Sequence, residues 1–292
     1  MSIEASNLSY TYSAKTPFEK TALFDLSFTI NKGETVGIIG STGSGKSTLV
    51  QHFNALIKLT SGKLVVCDID LSLKKVPFKQ LRSKVGMLFQ YPEYQLFEDT
   101  VLKDVSFGPI NFGFDKEQAL IAAEAALSLV GVDVKEVKTK SPFELSGGEQ
   151  RRVAIAGVIA SKPEILVLDE PTSGLDPLGK RSILNLLMEL KKSFCDTVIM
   201  ISHNMDEIAE YCDRVLVLNE GKLIFDGTPK DFFHNPGNLA ETGLKIPHTV
   251  EIRELLKNKG VSLSSDCLNV NELTEAIVAS GILKKREGKN GS

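Results

Sequence analysis

The stretch GSTGSGKST, residues 40–48, consists almost entirely of small polar side chains and follows the apolar run TVGII. Gly40, Gly45, Lys46 and Ser47 satisfy the spacing G-x-x-x-x-G-K-[ST], with a strand pattern before it and a helix pattern after it. In that context Gly40, Ser41, Thr42, Gly43, Ser44 and Gly45 let the backbone curl into a ring of inward-pointing N–H groups, an anion nest. A helix opening near Lys46 adds the positive end of its dipole, with Ser47 and Thr48 on its first turn. Lys46 is placed to reach terminal phosphate oxygens, and the Ser47 hydroxyl to hold Mg²⁺. The loop carries no bulky side chains because its expected ligand is a polyphosphate.

The run ILVLDE supplies a second chemical signal. Asp169 ends a buried apolar strand, where a carboxylate is costly unless it serves a cation, through a water or through Ser47. Glu170, the next residue, is placed to polarise a water attacking the terminal phosphate. The acidic pair could instead open the following helix as its cap, although Pro171 favours a turn there.

These groups need a scaffold, and the hydrophobic pattern describes one. IEASNLSYTY and TALFDLSFTI alternate with period two and read as half-buried strands. TVGIIG, EILVLDE, TVIMIS and RVLVLNEGKLIF are apolar strands of the kind buried on both faces. Between them, STLVQHFNALIKL places Leu49, Val50, Phe53, Leu56 and Ile57 on one helical stripe. Residues 97–145 read as mostly helical, followed by the helices GGEQRRVAIAGVIAS, GKRSILNLLMELKKS and NMDEIAEYC. Buried strands alternating with amphipathic helices predict an α/β fold around a mainly parallel sheet.

Past Gly227 the pattern weakens. NPGNLAETGLKIP is turn-rich, HTVEIRELLKNKG stops at Gly260, and NVNELTEAIVASG opens with a capping-box pattern from Asn269 to Glu272. The end, KKREGKNGS, reads as a polar disordered tail. The expected division is a main α/β domain carrying the glycine loop over 1–229, with a helical subdomain at about 91–160, and a C-terminal helical appendage over 230–292.

Composition sets outer bounds. The 292 residues suffice for a large domain with an appendage, and 34 Lys and Arg against 37 Asp and Glu give a net charge of −3. A global basic field for nucleic acid is therefore absent. Cys67, Cys195, Cys212 and Cys267 are far apart and read as buried thiols of a reducing compartment. No apolar run approaches the roughly 20 residues of a bilayer span, and the first residues carry an acid and no apolar signal core.

LSGGEQRR, residues 145–152, resembles the signature of ATP-binding-cassette (ABC) ATPases. Ser146, Gly147 and Gly148 would open a long helix whose N–H groups form a second anion site, so two chains could bind head to tail. The resemblance implies the P-loop ABC ATPase fold: a RecA-like parallel core, an antiparallel β subdomain and a helical subdomain. Further matches follow in the family's order. Gln90 in MLFQYPE resembles the glutamine that contacts Mg²⁺ and the attacking water. SGLD, ending at Asp176, resembles the loop that crosses the dimer interface, and His203 in MISHNMDE the histidine that contacts the γ-phosphate. Tyr12, ahead of Tyr10, resembles the aromatic that stacks on adenine. Each is weak alone; a lone His after a strand is more often structural, and the joint order reverses that reading.

FQYPEYQLFEDTV is similar to a stretch of energy-coupling factor (ECF) transporter ATPases, and YTYSAKTPFEKTALFDLSFTI to the second of their two paralogues. Tyr94 stands where many members carry Asp. The resemblance implies ATP and Mg²⁺ as cofactors, with Glu170, His203, Gln90 and Lys46 catalytic and Ser47, Gln90 and Asp169 at the metal. It implies a second ATPase subunit and a transmembrane scaffold whose coupling helices dock beside residues 91–97, on the cytoplasmic face of the membrane. A substrate-binding membrane subunit for vitamins or transition-metal ions is implied indirectly, and no nucleic acid. The competing readings are a conventional ABC importer ATPase and a soluble ABC ATPase of DNA repair, chromosome organisation or translation. The latter's usual coiled coil has no heptad array here. Leu255, Leu256, Leu273 and Ile277 could pair with a partner ATPase or pack back on their own domain.

Overall fold

The computed structural model describes residues 1–193, 195–235, 242–263 and 267–282. The polar tail from residue 284 and residues 236–241 of the turn-rich stretch lie outside the described residues. The alternating segments pair as antiparallel strands β1 (Ile3–Tyr12) and β2 (Lys20–Ile30). Beside them stand β4 (Ser61–Val66) and β5 (Ile69–Asp70), in the order β2-β1-β4-β5.

The fully buried run TVGIIG is β3 (Thr35–Gly40), at the centre of a second sheet. It is joined by β6 (Val85–Leu88), β7 (Ile165–Asp169), β8 (Thr197–Ile201), β9 (Arg214–Asn219) and β10 (Lys222–Gly227). The order is β10-β9-β3-β8-β7-β6, parallel from β9 to β6, with β10 returning as an antiparallel hairpin. Pleating sends successive side chains of β7 to opposite faces. Ile165 and Val167 enter a core shared with the antiparallel sheet; Leu166 and Leu168 enter one shared with helices.

The helices are α1 (Lys46–Phe53), α2 (Phe78–Lys84), α3 (Val101–Phe112), α4 (Lys116–Leu129), α5 (Val134–Val137), α6 (Gly147–Ile159) and α7 (Pro177–Ser193). They continue with α8 (Met205–Tyr211), α9 (Pro229–Phe233), α10 (His248–Asn258) and α11 (Val270–Ala279). Side-chain caps fix several starts: Thr100, Asp115, Ser146, Asn204 and Thr228 each accept a backbone N–H of the first turn.

Two details differ from the expectation. α1 stops at Phe53, because Asn54 leaves helical geometry and Ala55 turns to φ 53°. The Arg82 guanidinium donates to the Asn54 and Ala55 carbonyls at 3.3 Å each and holds that turn. Leu49, Val50 and Phe53 are therefore core, whereas Leu56 is exposed. At α11, Asn269 accepts from Glu272 N, but the Glu272 carboxylate reaches back to Leu268 N, one residue earlier than a capping box requires.

The C-terminal helices are not detached. Val250 and Leu268 join the core of α3 to α8, and Leu273 packs with Cys267, Ala276 and Ile277 beside it. Leu255 faces outward. Cys67, Cys195 and Cys212 are buried thiols, and burial pushes Cys67 and Cys195 up to about 11.

Candidate active site

β3 delivers the chain to the glycine loop at Gly40. A side chain there would meet the Leu218 carbonyl at 2.1 Å and the Ser44 hydroxyl at 2.6 Å, so β9 leaves room for hydrogen alone. Gly45 caps α1 at φ 102°, and a Cβ would lie 2.7 Å from the Ala22 carbonyl. The closest contact of each is with backbone, Leu218 on β9 and Ala22 on β2, which fixes the loop between two sheets. The Lys46 amine is buried and donates to the Gly40 and Ser41 carbonyls, each at 2.9 Å. Burial lowers its pKa, opposed by the charges of Glu170 and Asp169.

A cleft of about 970 Å³ opens above the loop. Its lining includes Tyr12, the loop residues Thr42, Gly43, Gly45, Lys46, Ser47 and Thr48, and Glu170 with His203. Tyr12 donates or accepts a 3.0 Å bond with Thr48 Oγ1 and leaves its ring partly exposed. Tyr10 packs edge-on beneath it, against Tyr12 and the buried His52.

Asp169, the last residue of β7, accepts a hydrogen bond from Ser47; burial raises its pKa, countered by that bond and by Lys46. Glu170 follows at φ 50°, a left-handed conformation costing about 1 kcal/mol or more for a residue with a side chain. Its N–H donates to Ile201 O at 3.0 Å, the last rung joining β7 to β8. Its carboxylate is held from two sides: His203 Nε2 lies 3.0 Å from Oε1, and Gln90 Nε2 donates to Oε2 at 3.1 Å. The acidic pair does not cap the next helix. Asp176 does, accepting Gly179 N at 2.7 Å.

The residues fit a Mg²⁺-bound polyphosphate. The N–H groups of Gly43, Gly45 and Lys46 have no backbone acceptor among the described residues, and the buried Ser44 hydroxyl has no partner there. Ser47, Asp169 and the Gln90 side-chain carbonyl offer oxygen donors, the set Mg²⁺ prefers.

Ser146, Gly147 and Gly148 are not brought to this cleft. They form the exposed N-terminus of α6, where a side chain on either glycine would meet nothing within 4 Å. Of the 91–97 loop, Leu96 enters the core, while Tyr91, Tyr94 and Phe97 stay outside.

Two buried groups escaped the sequence reading. Arg151 forks onto Glu93 at 3.1 and 3.3 Å and onto the Ser173 carbonyl at 3.0 and 3.1 Å, tying α6 to the Gln90 loop and the Glu170 loop. Its place in LSGGEQRR reads only as an exposed helix charge. Glu207 on α8 accepts from Thr172, Ser202 and Asn204, and in the sequence looks like any acidic residue in a first helical turn.

A glycine-loop nucleotide cleft, ended by an Asp-Glu pair and joined by a distant glutamine and histidine, defines a P-loop ATPase. Residues 23–173 match the ABC transporter family. The chain is 45% identical over 278 residues to the energy-coupling factor transporter ATP-binding protein EcfA2 of Clostridium tetani, covering 95% of this chain and 96% of that one. It is 46% identical to EcfA2 of Caldanaerobacter subterraneus subsp. tengcongensis, with 95% and 97% covered. Among solved structures, CbiO1 of Clostridium perfringens, described as part of the ABC transporter complex CbiONQ, superposes with a TM-score of 0.71 at 37% identity, covering 86% and 98%. A dimeric ATP-binding cassette in a post-hydrolysis state, bound to ADP and phosphate, gives 0.68 at 28%, covering 78% and 98%. The chain belongs to the ABC transporter family, in its energy-coupling factor group of ATP-binding proteins.

Proposed function

We propose that this chain hydrolyses ATP as a subunit of an energy-coupling factor importer for vitamins or transition-metal ions, paired with a second ATPase subunit on a transmembrane scaffold. The observation that carries the hydrolytic assignment is the Glu170 carboxylate, fixed between His203 and Gln90 in the lining of the glycine-loop cleft. There it orients and deprotonates a water toward the terminal phosphate, while His203 and Gln90 complete the site around that phosphate. Lys46 exchanges its two neutral carbonyl acceptors for charged phosphate oxygens, which makes stronger hydrogen bonds. Ser47, Asp169 and Gln90 hold Mg²⁺, which when bound neutralises phosphate charge. Tyr12 offers its ring face to the adenine, and the loop from Gly40 to Thr48 cradles the phosphates.

The pairing rests on the outlying position of Ser146, Gly147 and Gly148. Their helix end is exposed and suited to an anion, yet their own cleft lies elsewhere, so they serve the cleft of the partner. Dimeric ATP-binding cassettes among the similar structures support this. Docking of the scaffold's coupling helices on residues 91–97 is supported by the exposed Tyr91, Tyr94 and Phe97. No described helix is long and apolar enough to cross a membrane. In the proposed assembly the scaffold is a separate membrane chain and this one sits at its cytoplasmic face.

The test is Glu170→Gln in the assembled complex. It retains ATP and hydrolyses it at least about tenfold more slowly, the size expected for a lost general base. Wild-type turnover of that variant overturns the assignment.

A further inference from the structure

Glu207 lies at the third position of α8, 5% exposed and outside the nucleotide cleft. Its Oε1 accepts from Thr172 Oγ1 at 2.8 Å and from Asn204 Nδ2 at 3.3 Å, and its Oε2 accepts from Ser202 Oγ at 2.7 Å. Thr172 and Ser202 are each 4% exposed. Among the described residues no cation pairs with this carboxylate; it is held by neutral donors alone, at a helix start whose dipole favours the charge. A buried carboxylate in such a setting is costly, and removing any donor is costly again.

The partners are distributed in a telling way. Thr172 stands two residues after Glu170; Ser202 and Asn204 flank His203 on either side. The β7–β8 ladder ends at the pair Asp169 and Ile201, followed only by the bond from Glu170 N to Ile201 O. Beyond that rung the two chains diverge into loops with no backbone pairing to each other among the described residues. Glu207 takes over where the sheet stops: its Oε1 bridges the two loops through Thr172 and Asn204, and its Oε2 holds the His203 loop again through Ser202. A further bond runs within the His203 loop, from Asn204 N to Ser202 Oγ at 3.0 Å.

We infer that Glu207 is a positioning residue for hydrolysis: its carboxylate clamps the loop of Glu170 to the loop of His203 and so sets the 3.0 Å contact between them. The inference rests on Glu170 and His203 acting as proposed above. It predicts a specific kinetic signature, since the glycine loop, Lys46 and Tyr12 do not touch the clamp. Misplacing a reacting group by about 1 Å costs on the order of 100-fold in rate, whereas nucleotide binding rests on other contacts.

The experiment measures kcat, KM for ATP and nucleotide retention in the assembled complex for Glu207→Ala, Glu207→Gln, Thr172→Val and Glu170→Gln. The expected result is a kcat lowered about tenfold or more in Glu207→Ala, with KM and ATP retention within about twofold of wild type. Glu207→Gln, which keeps one acceptor and the side-chain shape, recovers part of the loss. Thr172→Val keeps the core volume and serves if Glu207→Ala does not assemble; it lowers kcat in the same selective way. An unchanged kcat in Glu207→Ala or Thr172→Val overturns the clamp, as does a loss of ATP retention parallel to the loss of kcat. Wild-type turnover by Glu170→Gln instead overturns the function on which the clamp depends.

Discussion

Tyr12, Lys46, Glu170 and His203 reach one cleft from four separate parts of the chain, and they differ in how far sequence alone announces them. The glycine loop is legible because its chemistry excludes side chains, and Gly40 and Gly45 abut backbone where any Cβ would collide. Asp169 and Glu170 are legible because carboxylates at the end of an apolar strand demand a reason. Tyr12, Gln90 and His203 have no such local signature and were readable only through family resemblance. Glu207 and Arg151 were missed because burial of a helix charge depends on what packs over it, which no periodicity reveals. Tyr12 permits a sharp test. If its ring face carries the base, Tyr12→Phe retains ATP affinity within about threefold, losing only an exposed hydroxyl contact worth about 1 kcal/mol or less. Tyr12→Ala weakens binding about tenfold or more, as lost base stacking does. Equal affinities for Tyr12→Ala and wild type, measured by nucleotide titration, would remove Tyr12 from the site.

Elements were legible where hydrophobic period and length agree, as in β3, β7, β8, α4 and α6. Errors fell at ends, where tertiary contacts decide: α1 stops four residues before Ile57 because Arg82 stabilises a left-handed turn at Ala55. The same scale shows how the helical elements are locked to the catalytic loops. Arg151 of α6 is 3% exposed at its side chain, and its fork joins Glu93, three residues past Gln90, to Ser173, three residues past Glu170. Breaking such a pair leaves a buried charge without its partner, at a typical cost of about 3–5 kcal/mol. Arg151→Ala is therefore expected to unfold at lower denaturant by about that much, and Arg151→Lys to recover only part, since an ammonium cannot span both acceptors in a fork. A change below about 1 kcal/mol in urea unfolding would mean that the fork does not hold α6 to these loops.

At the scale of the whole molecule, the C-terminal helices meet the catalytic body at the same helix that carries Glu207. Asp206 is the neighbouring residue, and its carboxylate accepts His248 N at 2.7 Å and pairs with His248 Nδ1 at 2.5 Å, capping the start of α10. One turn of α8 thus faces the catalytic loops through residue 207 and the appendage through residue 206. The pair has a definite pH dependence. Asp206 raises the His248 pKa above its ordinary 6.5, chiefly by the hydrogen bond and then by its charge; Glu251 adds to the rise and Lys245 opposes it. Because the folded pKa is the higher one, the stabilisation is fully present below about pH 6.5 and is lost as pH rises through the folded value. Titrating the His248 ring proton by NMR is expected to give a midpoint above 6.5, returning toward 6.5 in Asp206→Asn. Amide exchange at the start of α10, corrected for its intrinsic pH dependence, should quicken between pH 6 and pH 9 in wild type. It should be nearly flat in Asp206→Asn, already fast at pH 6. A wild-type midpoint at or below 6.5 would show that Asp206 does not hold the appendage through this ring, leaving Val250 and Leu268 in the core as its anchors.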